Sequence, residues 1–482
     1  MATLQTLNFD NSFVRLASCL FTPVKPQALV QPFFIHANPQ VAKLLELDYS
    51  AEELVRYFSG ADPLPNSQPL AMTYSGHQFG MYNPQLGDGR GLLLGEVVNQ
   101  QGERWDIHLK GAGKTPYSRF GDGRAVLRSS IREYLCGEAM HGLGIRSTRA
   151  LCLIGSKEPV QREKIETAAT IVRVADSHIR FGHFEWLFHN QEKLLPSFAD
   201  YVINRHYPAC RQADKPYAAL LTAIVERTAT MIANWQLVGF AHGVMNTDNF
   251  SITGSTFDYG PYGFLDSYQP SFICNHSDTS GRYAWNQQPS IGLWNLNALA
   301  YALSPLIAKN DIIDALQNYE KVLLAHYYQG IKAKLGLTTD HDDDNNLAFD
   351  FLDILMKNHM DYTRSFRALS YSGKEDKFCA LRDDCIDRER FDNWFKQYQQ
   401  RLSLETQSDE QRQQQMQAVN PKYILRNYLA QIAIDKAEQG DYSEIDILLK
   451  LLQQPYAEHP EFERYANTLP DWGQHLEISC SS

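Results

Sequence analysis

Hydrophobic and polar positions change rhythm twice along the 482 residues. Up to about residue 60 the pattern predicts helices. Asn38 can cap a helix that has Pro39 at its first position, and Ser50 and Glu53 form the halves of a capping box ahead of a run closed by Gly60. From 61 to about 185, short β-like runs alternate with glycines. The run 92–97 is apolar except for Gly95 and Glu96, while Trp105, Ile107 and Leu109 alternate with Asp106, His108 and Lys110 as in a half-buried strand. One helix interrupts this region, predicted over 125–141, because Leu127, Ile131, Tyr134, Leu135 and Glu138 recur at helical spacing. After 185 helices dominate. Pro216 opens a long one in which Leu220, Ile224, Val225, Thr228, Met231, Ile232 and Trp235 share an apolar face. The expected fold class is α+β in three parts: a helical extension (1–60), a small β-rich lobe with one key helix (61–185), and a larger, mainly helical lobe (186–482).

Composition narrows the function. With 45 Lys+Arg against 56 Asp+Glu the net charge is -11, the wrong sign for a general binder of nucleic acid or anionic membranes. A local cluster of cations can still hold a phosphate ligand. Eight cysteines at irregular spacing, with no CxxC pair, fit neither a secreted disulfide framework nor structural zinc. No basic start followed by an apolar core marks a signal peptide. The uncharged stretch 284–308 is interrupted by Pro289 and Pro305 and carries Gln287, Gln288, Asn295 and Asn297, so it reads as a buried helix and not a membrane span. A cytoplasmic location is expected. The acidic stretch 340–346 reads as a solvated loop.

Four groups of residues can carry chemistry. Gly87-Asp88-Gly89-Arg90-Gly91 precedes the 92–97 strand and can cradle a phosphate with backbone N–H groups, although the same residues make an ordinary turn. Lys110 ends the alternating strand and Glu133 lies in the following helix, a pairing that orients a lysine toward phosphate oxygens. Between them runs a second glycine-rich, cationic loop, 111–124. Its GAGKT lacks the spacing of a P-loop, since position 108 is His. Arg173 and Arg180 flank a turn and offer guanidinium forks. Last, His242-Gly-Val-Met-Asn-Thr-Asp-Asn249 is followed by Asp258-Tyr-Gly, with Thr253-Gly254-Ser255 predicted as the turn of a hairpin that brings Asn249 and Asp258 to one metal ion, Mg²⁺ or Mn²⁺. The order of Lys, helix Glu, loop Asn and strand-end Asp is that of a protein-kinase-like site with one alteration. Val244 stands where a kinase has its catalytic aspartate, and valine accepts no proton.

Four stretches, 74–91, 109–145, 242–266 and 420–430, resemble the selenoprotein O family of kinase-like protein adenylyltransferases. The resemblance covers nearly the whole chain. It implies a two-lobed protein-kinase-like fold and an ATP flipped relative to kinases. It implies transfer of AMP, or UMP from UTP in bacterial members, to Ser, Thr or Tyr hydroxyls of proteins, with pyrophosphate leaving. By matching position it assigns Gly87, Gly89, Arg90, Lys110, Asp122, Gly123, Arg173, Arg180 and Asp258 to the nucleotide. It pairs Glu133 with Lys110, gives the metal to Asn249 and Asp258, and makes Asp248 the proton acceptor. It further implies a regulatory disulfide between Cys274 and Cys480, the latter at the place where eukaryotic relatives carry selenocysteine. Protein substrates and a monomeric state are expected. The alternatives are an atypical kinase and a nucleotide-binding scaffold without turnover.

Overall fold

The structure, a computed structural model, describes residues 2–376, 379–476 and 478. In chain order the first strands are β1 (Phe21–Pro23), β2 (Phe33–Ala37), β3 (Leu70–Met72), β4 (Gly76–Gln78), β5 (Met81–Asn83) and β6 (Gly91–Val98). They are followed by β7 (Arg104–Lys110), β8 (Ala125–Val126), β9 (Arg149–Gln161), β10 (Ile165–Ala175), β11 (Phe240–Ala241) and β12 (Gly263–Phe264). The main sheet is antiparallel, in the order β1-β3-β6-β7-β10-β9-β2, with β8 added on β10. The helices that frame it begin with α1 (Pro39–Leu44), α2 (Ala51–Phe58), α3 (Leu127–Gly142), α4 (Phe181–Asn190) and α5 (Leu195–His206). Next come α6 (Pro216–Val238), α7 (Gln288–Ala302) and α8 (Lys309–Lys334), with further helices out to Ser443–Gln453. The fold is mixed α/β around an antiparallel sheet.

Local signals in the first 60 residues hold where they concern capping. Asn38 accepts from the Gln40 N–H at 3.1 Å, and both halves of the Ser50–Glu53 capping box are made. The helical reading of the whole stretch does not hold. Only α1 and α2 are α-helical, and the extension also supplies β1 and β2, the two outer strands of the main sheet. Phe34 lies opposite Ile154, a pairing too distant in sequence for local periodicity to reveal.

Alternation along β6 and β7 sends side chains to two faces. Leu92, Leu94 and Leu109 pack with Val41, Leu54 and Phe58 of the extension. Leu70 and Leu93 belong to a second core with Ile131 and Leu135 of α3 and Leu448 of the last helix. Helix α3 starts at Leu127, two residues later than predicted, because Ala125 and Val126 pair with Ala169 and Ala168 of β10. Buried nearly all round, α3 carries Arg132, Glu133 and Glu138 into the interior, where each finds a partner.

Helix α6 ends at Gly239, whose φ of 70° provides the left-handed cap. The chain then enters β11, which pairs with β12 through Phe240–Phe264 and Ala241–Gly263. Residues 242–262 thus leave and return at one point, beneath the sheet. The predicted hairpin within them is not formed. The turn is present, with the Gly254 N–H donating to Ser251, but Ser251 bridges to Arg180 and Thr256 bridges to Ser147 instead of to each other. The 284–308 stretch forms α7, and no helix among the described residues is long and apolar enough to cross a membrane. The acidic stretch is only partly solvated, because Asp344 opens a helix, is buried, and pairs with Arg401 at 2.6 Å.

Candidate active site

A cleft of about 710 Å³ opens between the sheet and the 242–262 segment, with Gly87, Arg90, Lys110, Arg173, Arg180 and Asp258 in its walls. Lys110 ends β7, and register puts it opposite Gly91 of β6 and Ile171 of β10. Its Nζ donates to Glu133 Oε2 at 2.6 Å. The other carboxylate oxygen of Glu133 accepts from Arg173, the middle residue of β10's pairing with β7. Arg173 Nη2 then pairs with Asp258 Oδ1 at 2.8 Å, and Arg180 closes on Asp258 Oδ2. Arg180 Nη2 finally reaches Asp88 Oδ1 at 3.7 Å. Lys110, Glu133, Arg173, Asp258, Arg180 and Asp88 therefore alternate in sign across the cleft floor, all with buried or nearly buried side chains.

Burial alone would raise Glu133, but Arg173 and Lys110 outweigh it and hold the carboxyl at about 2. Burial likewise opposes the charge on Asp258, and Arg180 and Arg173 keep it far below the usual carboxylate range. Desolvation, reinforced by Arg90 and Arg173, brings Lys110 down to about 8 despite Glu133. Asp88 sits at about 2, since His108, Arg180 and the Met72 N–H together outweigh its burial. Burial and the neighbouring His178 keep His108 neutral at physiological pH, with a pKa lowered to about 4, and its ring stacks on His178 at 4.6 Å.

Asp258 adopts φ 60°, a left-handed conformation that a non-glycine residue takes up only under local constraint. Arg180 supplies it: the guanidinium lies over the rings of Tyr74 and Phe257 at 4.6 and 4.7 Å and donates to the Asp248 carbonyl at 2.7 Å. Asp248 is buried, with Oδ1 unpartnered and Oδ2 accepting from Gln78 at 3.3 Å. Desolvation pushes its carboxyl up to about 7. Asn249 follows in a 3-10 turn and donates through Nδ2 to the Val244 carbonyl at 3.0 Å, which leaves Oδ1 as its free donor atom. The Asp258 carboxylate and the Asn249 amide oxygen are hard-oxygen donors of the kind Mg²⁺ or Mn²⁺ takes. The Arg pairing of Asp258 still leaves each of its oxygens a lone pair. The residues fit such an ion.

The glycine loops sit at the cleft rim. Gly87 has φ 108°, and a Cβ there would lie 2.5 Å from the Tyr117 ring. Gly123, at φ 74°, passes so close to Gly113 that a Cβ would meet its carbonyl carbon at 2.1 Å. Asp122 stands at the rim with its carboxylate on Arg162, at 2.7 and 3.0 Å. The predicted site residues from Gly87 to Asp258 thus line one cleft, with Glu133 behind Lys110. Cys274 is buried beneath, with its thiol toward the Ala241 carbonyl at 3.4 Å, and Cys480 lies outside the described residues. Sequence reading missed Arg162, which carries no local signal, and Gln78. It also gave Asp88 no role of its own within the 87–91 run, whereas the carboxylate is buried and holds Met72, Tyr74, His108 and Arg180. His242 packs structurally: its Nε2 meets the Phe257 carbonyl at 3.0 Å and its ring stacks on Trp235.

An alternating chain of buried cations and carboxylates, rimmed by glycine loops, offers a cleft with the charge and close backbone approach that a phosphate-bearing substrate would need. Comparison with known proteins gives the class: the family described as "Protein adenylyltransferase SelO" matches residues 3–453, and the chain belongs to it. Relatives named "Protein nucleotidyltransferase YdiU" from Aliivibrio salmonicida, Vibrio vulnificus and Pseudomonas aeruginosa are 55%, 52% and 51% identical, each aligned over 100% of both chains.

Acid should uncouple the charge chain. Glu133 is lowered from its ordinary 4.5 to about 2, so its stabilisation is complete above pH 4.5 and is lost as pH falls through 2. We expect Glu133→Gln to remove on the order of 3 kcal/mol at pH 7 and to flatten the loss of stability between these pH values, as read by urea unfolding. An unchanged acid slope would place Glu133 outside the chain.

Proposed function

We propose that the protein transfers AMP from ATP, or UMP from UTP, to Ser, Thr or Tyr hydroxyls of other proteins and releases pyrophosphate. One observation carries the reading: Arg173 and Arg180 are fixed on Asp258 beside the unpartnered Oδ1 of Asp248, while Val244 occupies the place of a kinase's proton acceptor. The identity of the SelO and YdiU relatives supports it.

In this reading the sheet region 61–185, edged by strands from 1–60, forms the small lobe of a kinase-like fold, and 186–482 forms the larger one. Gly87, Gly89 and Gly123 admit the nucleotide close to the backbone. Arg90, Lys110, Arg173 and Arg180 bind the phosphate oxygens, and Glu133 keeps Lys110 and Arg173 in place for that task. Asp122, with Arg162, closes the rim. Asn249 and Asp258 would hold Mg²⁺ or Mn²⁺, which when bound neutralises charge on the triphosphate. The acceptor hydroxyl oxygen forms its bond to the α-phosphorus as the bond from that phosphorus to the bridging oxygen breaks. The hydroxyl proton passes to Asp248 Oδ1, and pyrophosphate carries away the electron pair. The four cations stabilise the charge that builds on the phosphates. The enzyme works in the cytoplasm as a monomer on protein substrates.

Redox control fits the same frame. The backbone N–H of His276, two residues after Cys274, donates to the carbonyl of Ile478, a residue two positions before Cys480 in sequence, at 3.0 Å. A Cys274–Cys480 disulfide would tie that loop under the 242–262 segment.

Two outcomes test these readings. With ATP labelled at the α- or γ-phosphate and Mg²⁺ or Mn²⁺ present, only the α-label should become covalent, and Asp258→Ala should abolish it while the protein stays folded. Retention of γ-label alone would restore a kinase. Cys480→Ser should make activity indifferent to reductant, and a redox response equal to wild type would remove the disulfide.

A further inference from the structure

The β4–β5 hairpin is an eight-residue finger that the catalytic reading leaves without a task, yet it is bolted to the catalytic segment. The His77 N–H donates to Thr247 Oγ1 at 2.7 Å, Gln78 reaches Asp248, and the Phe79 N–H donates to the Tyr283 hydroxyl at 2.9 Å. Gly76 packs so closely that a Cβ would stand 3.0 Å from Asp248 Oδ1. The finger's tip nevertheless faces solvent with apolar side chains: Met81 is 75% and Phe79 43% exposed. Exposed apolar groups at the end of a rigid finger beside a catalytic carboxylate are placed for a partner, not for the core.

The tip continues into a surface of rings. His77 meets Trp294 at 5.2 Å and Tyr82 at 5.2 Å, Tyr82 meets His189 at 4.4 Å, and Phe188 joins His189 to Tyr301, itself 64% exposed. Arg282 stands between finger and rings. Its guanidinium lies over Trp294 at 5.1 Å, and a Cβ on Gly80 would meet it at 3.2 Å. Among the described residues no carboxylate forms an ion pair with Arg282, and its Nε is buried without a hydrogen-bond partner. Asp278 is turned to the backbone: its two oxygens accept the N–H groups of Arg282 at 3.0 Å and Tyr283 at 2.7 Å, and it forms no ion pair with the Arg282 guanidinium among the described residues. A cation held on aromatic faces in an otherwise acidic protein is an open half of a charge pair.

We propose that the β4–β5 finger and the aromatic surface behind it are the docking platform for the acceptor polypeptide, with Met81 and Phe79 taking an apolar side chain and Arg282 an acidic one beside the modified hydroxyl. This rests on the transfer reading above. That reading requires the acceptor to approach Asp248, and Gln78 joins the platform to that residue. Gln78 belongs to the finger and also lines the cleft, so a polypeptide that presents its hydroxyl to Asp248 comes up against the finger. Aromatic side chains and arginine are the groups that most often dominate binding in protein interfaces.

The test uses the full-length enzyme with ATP labelled at the α-phosphate and three eight-residue peptides, each with one central Tyr. Their flanks carry Phe and Glu, Phe and Lys, or only Gly. The wild type should label the Phe/Glu peptide about fivefold or more faster, as kcat/KM, than either other peptide, the factor worth about 1 kcal/mol of selective contact. Arg282→Glu should reverse the order of the Glu and Lys peptides, and Met81→Ser should remove the advantage of Phe. ATP should raise the melting temperature of both variants as it does for wild type, because neither residue touches the nucleotide. Equal labelling of the three peptides by wild type, or an order that Arg282→Glu leaves intact, overturns the platform while the transfer reading stands. Absence of α-label from every peptide and from protein acceptors overturns the transfer reading and the platform with it.

Discussion

The site depends on a single electrostatic constraint: Glu133 and Asp258 must each hold two cations inside the protein. Guanidinium and ammonium groups repel one another when crowded, and desolvation adds to the penalty. Glu133 between Lys110 and Arg173, and Asp258 between Arg173 and Arg180, make that crowding tolerable. The result is a preassembled set of cations with fixed orientation. In the proposed function such a set needs little reorganisation when a triphosphate arrives, which is where electrostatic catalysis gains most. Asp258 is strained in φ to complete the arrangement, and the rings of Tyr74 and Phe257 hold Arg180 in place against it.

The rest of the fold serves that constraint. Register on β7 and β10 places Lys110 and Arg173 on neighbouring strands, and α3, buried on nearly every side, fixes Glu133 behind them. The extension seals the far face of the sheet with Val41, Leu54 and Phe58 and closes both sheet edges. The β11–β12 pair pinches the 242–262 segment, which carries Asp248, Asn249 and Asp258, at its base. The finger adds a second tether from the opposite side.

Chemistry carried by residue type at fixed spacing was legible in the sequence. Lys110 stood out at the end of an alternating strand and Glu133 inside a periodic helix, while Asn249 and Asp258 stood out by residue type and order alone. Asn38, Ser50 and Glu53 announced their caps through contacts within three residues. Long-range pairings were not legible. Nothing near Phe34 points to Ile154, nothing near Asp122 points to Arg162, and Ser251 and Thr256 bond to strangers at Arg180 and Ser147 instead of forming their own hairpin. Asp88 was hidden for another reason. A carboxylate between glycines is ordinary turn chemistry, and only its burial against His108 and Arg180 reveals a structural anion.

The flipped placement of the triphosphate is the central claim, and a crystal structure with a non-hydrolysable α,β-methylene ATP and Mg²⁺ tests it most directly. The account predicts the α-phosphate at the mouth, facing Asp248 Oδ1, with the terminal phosphates drawn inward against Arg90, Arg173 and Arg180. A γ-phosphate at the mouth, with the α-phosphate buried, would contradict it and return the cleft to kinase chemistry.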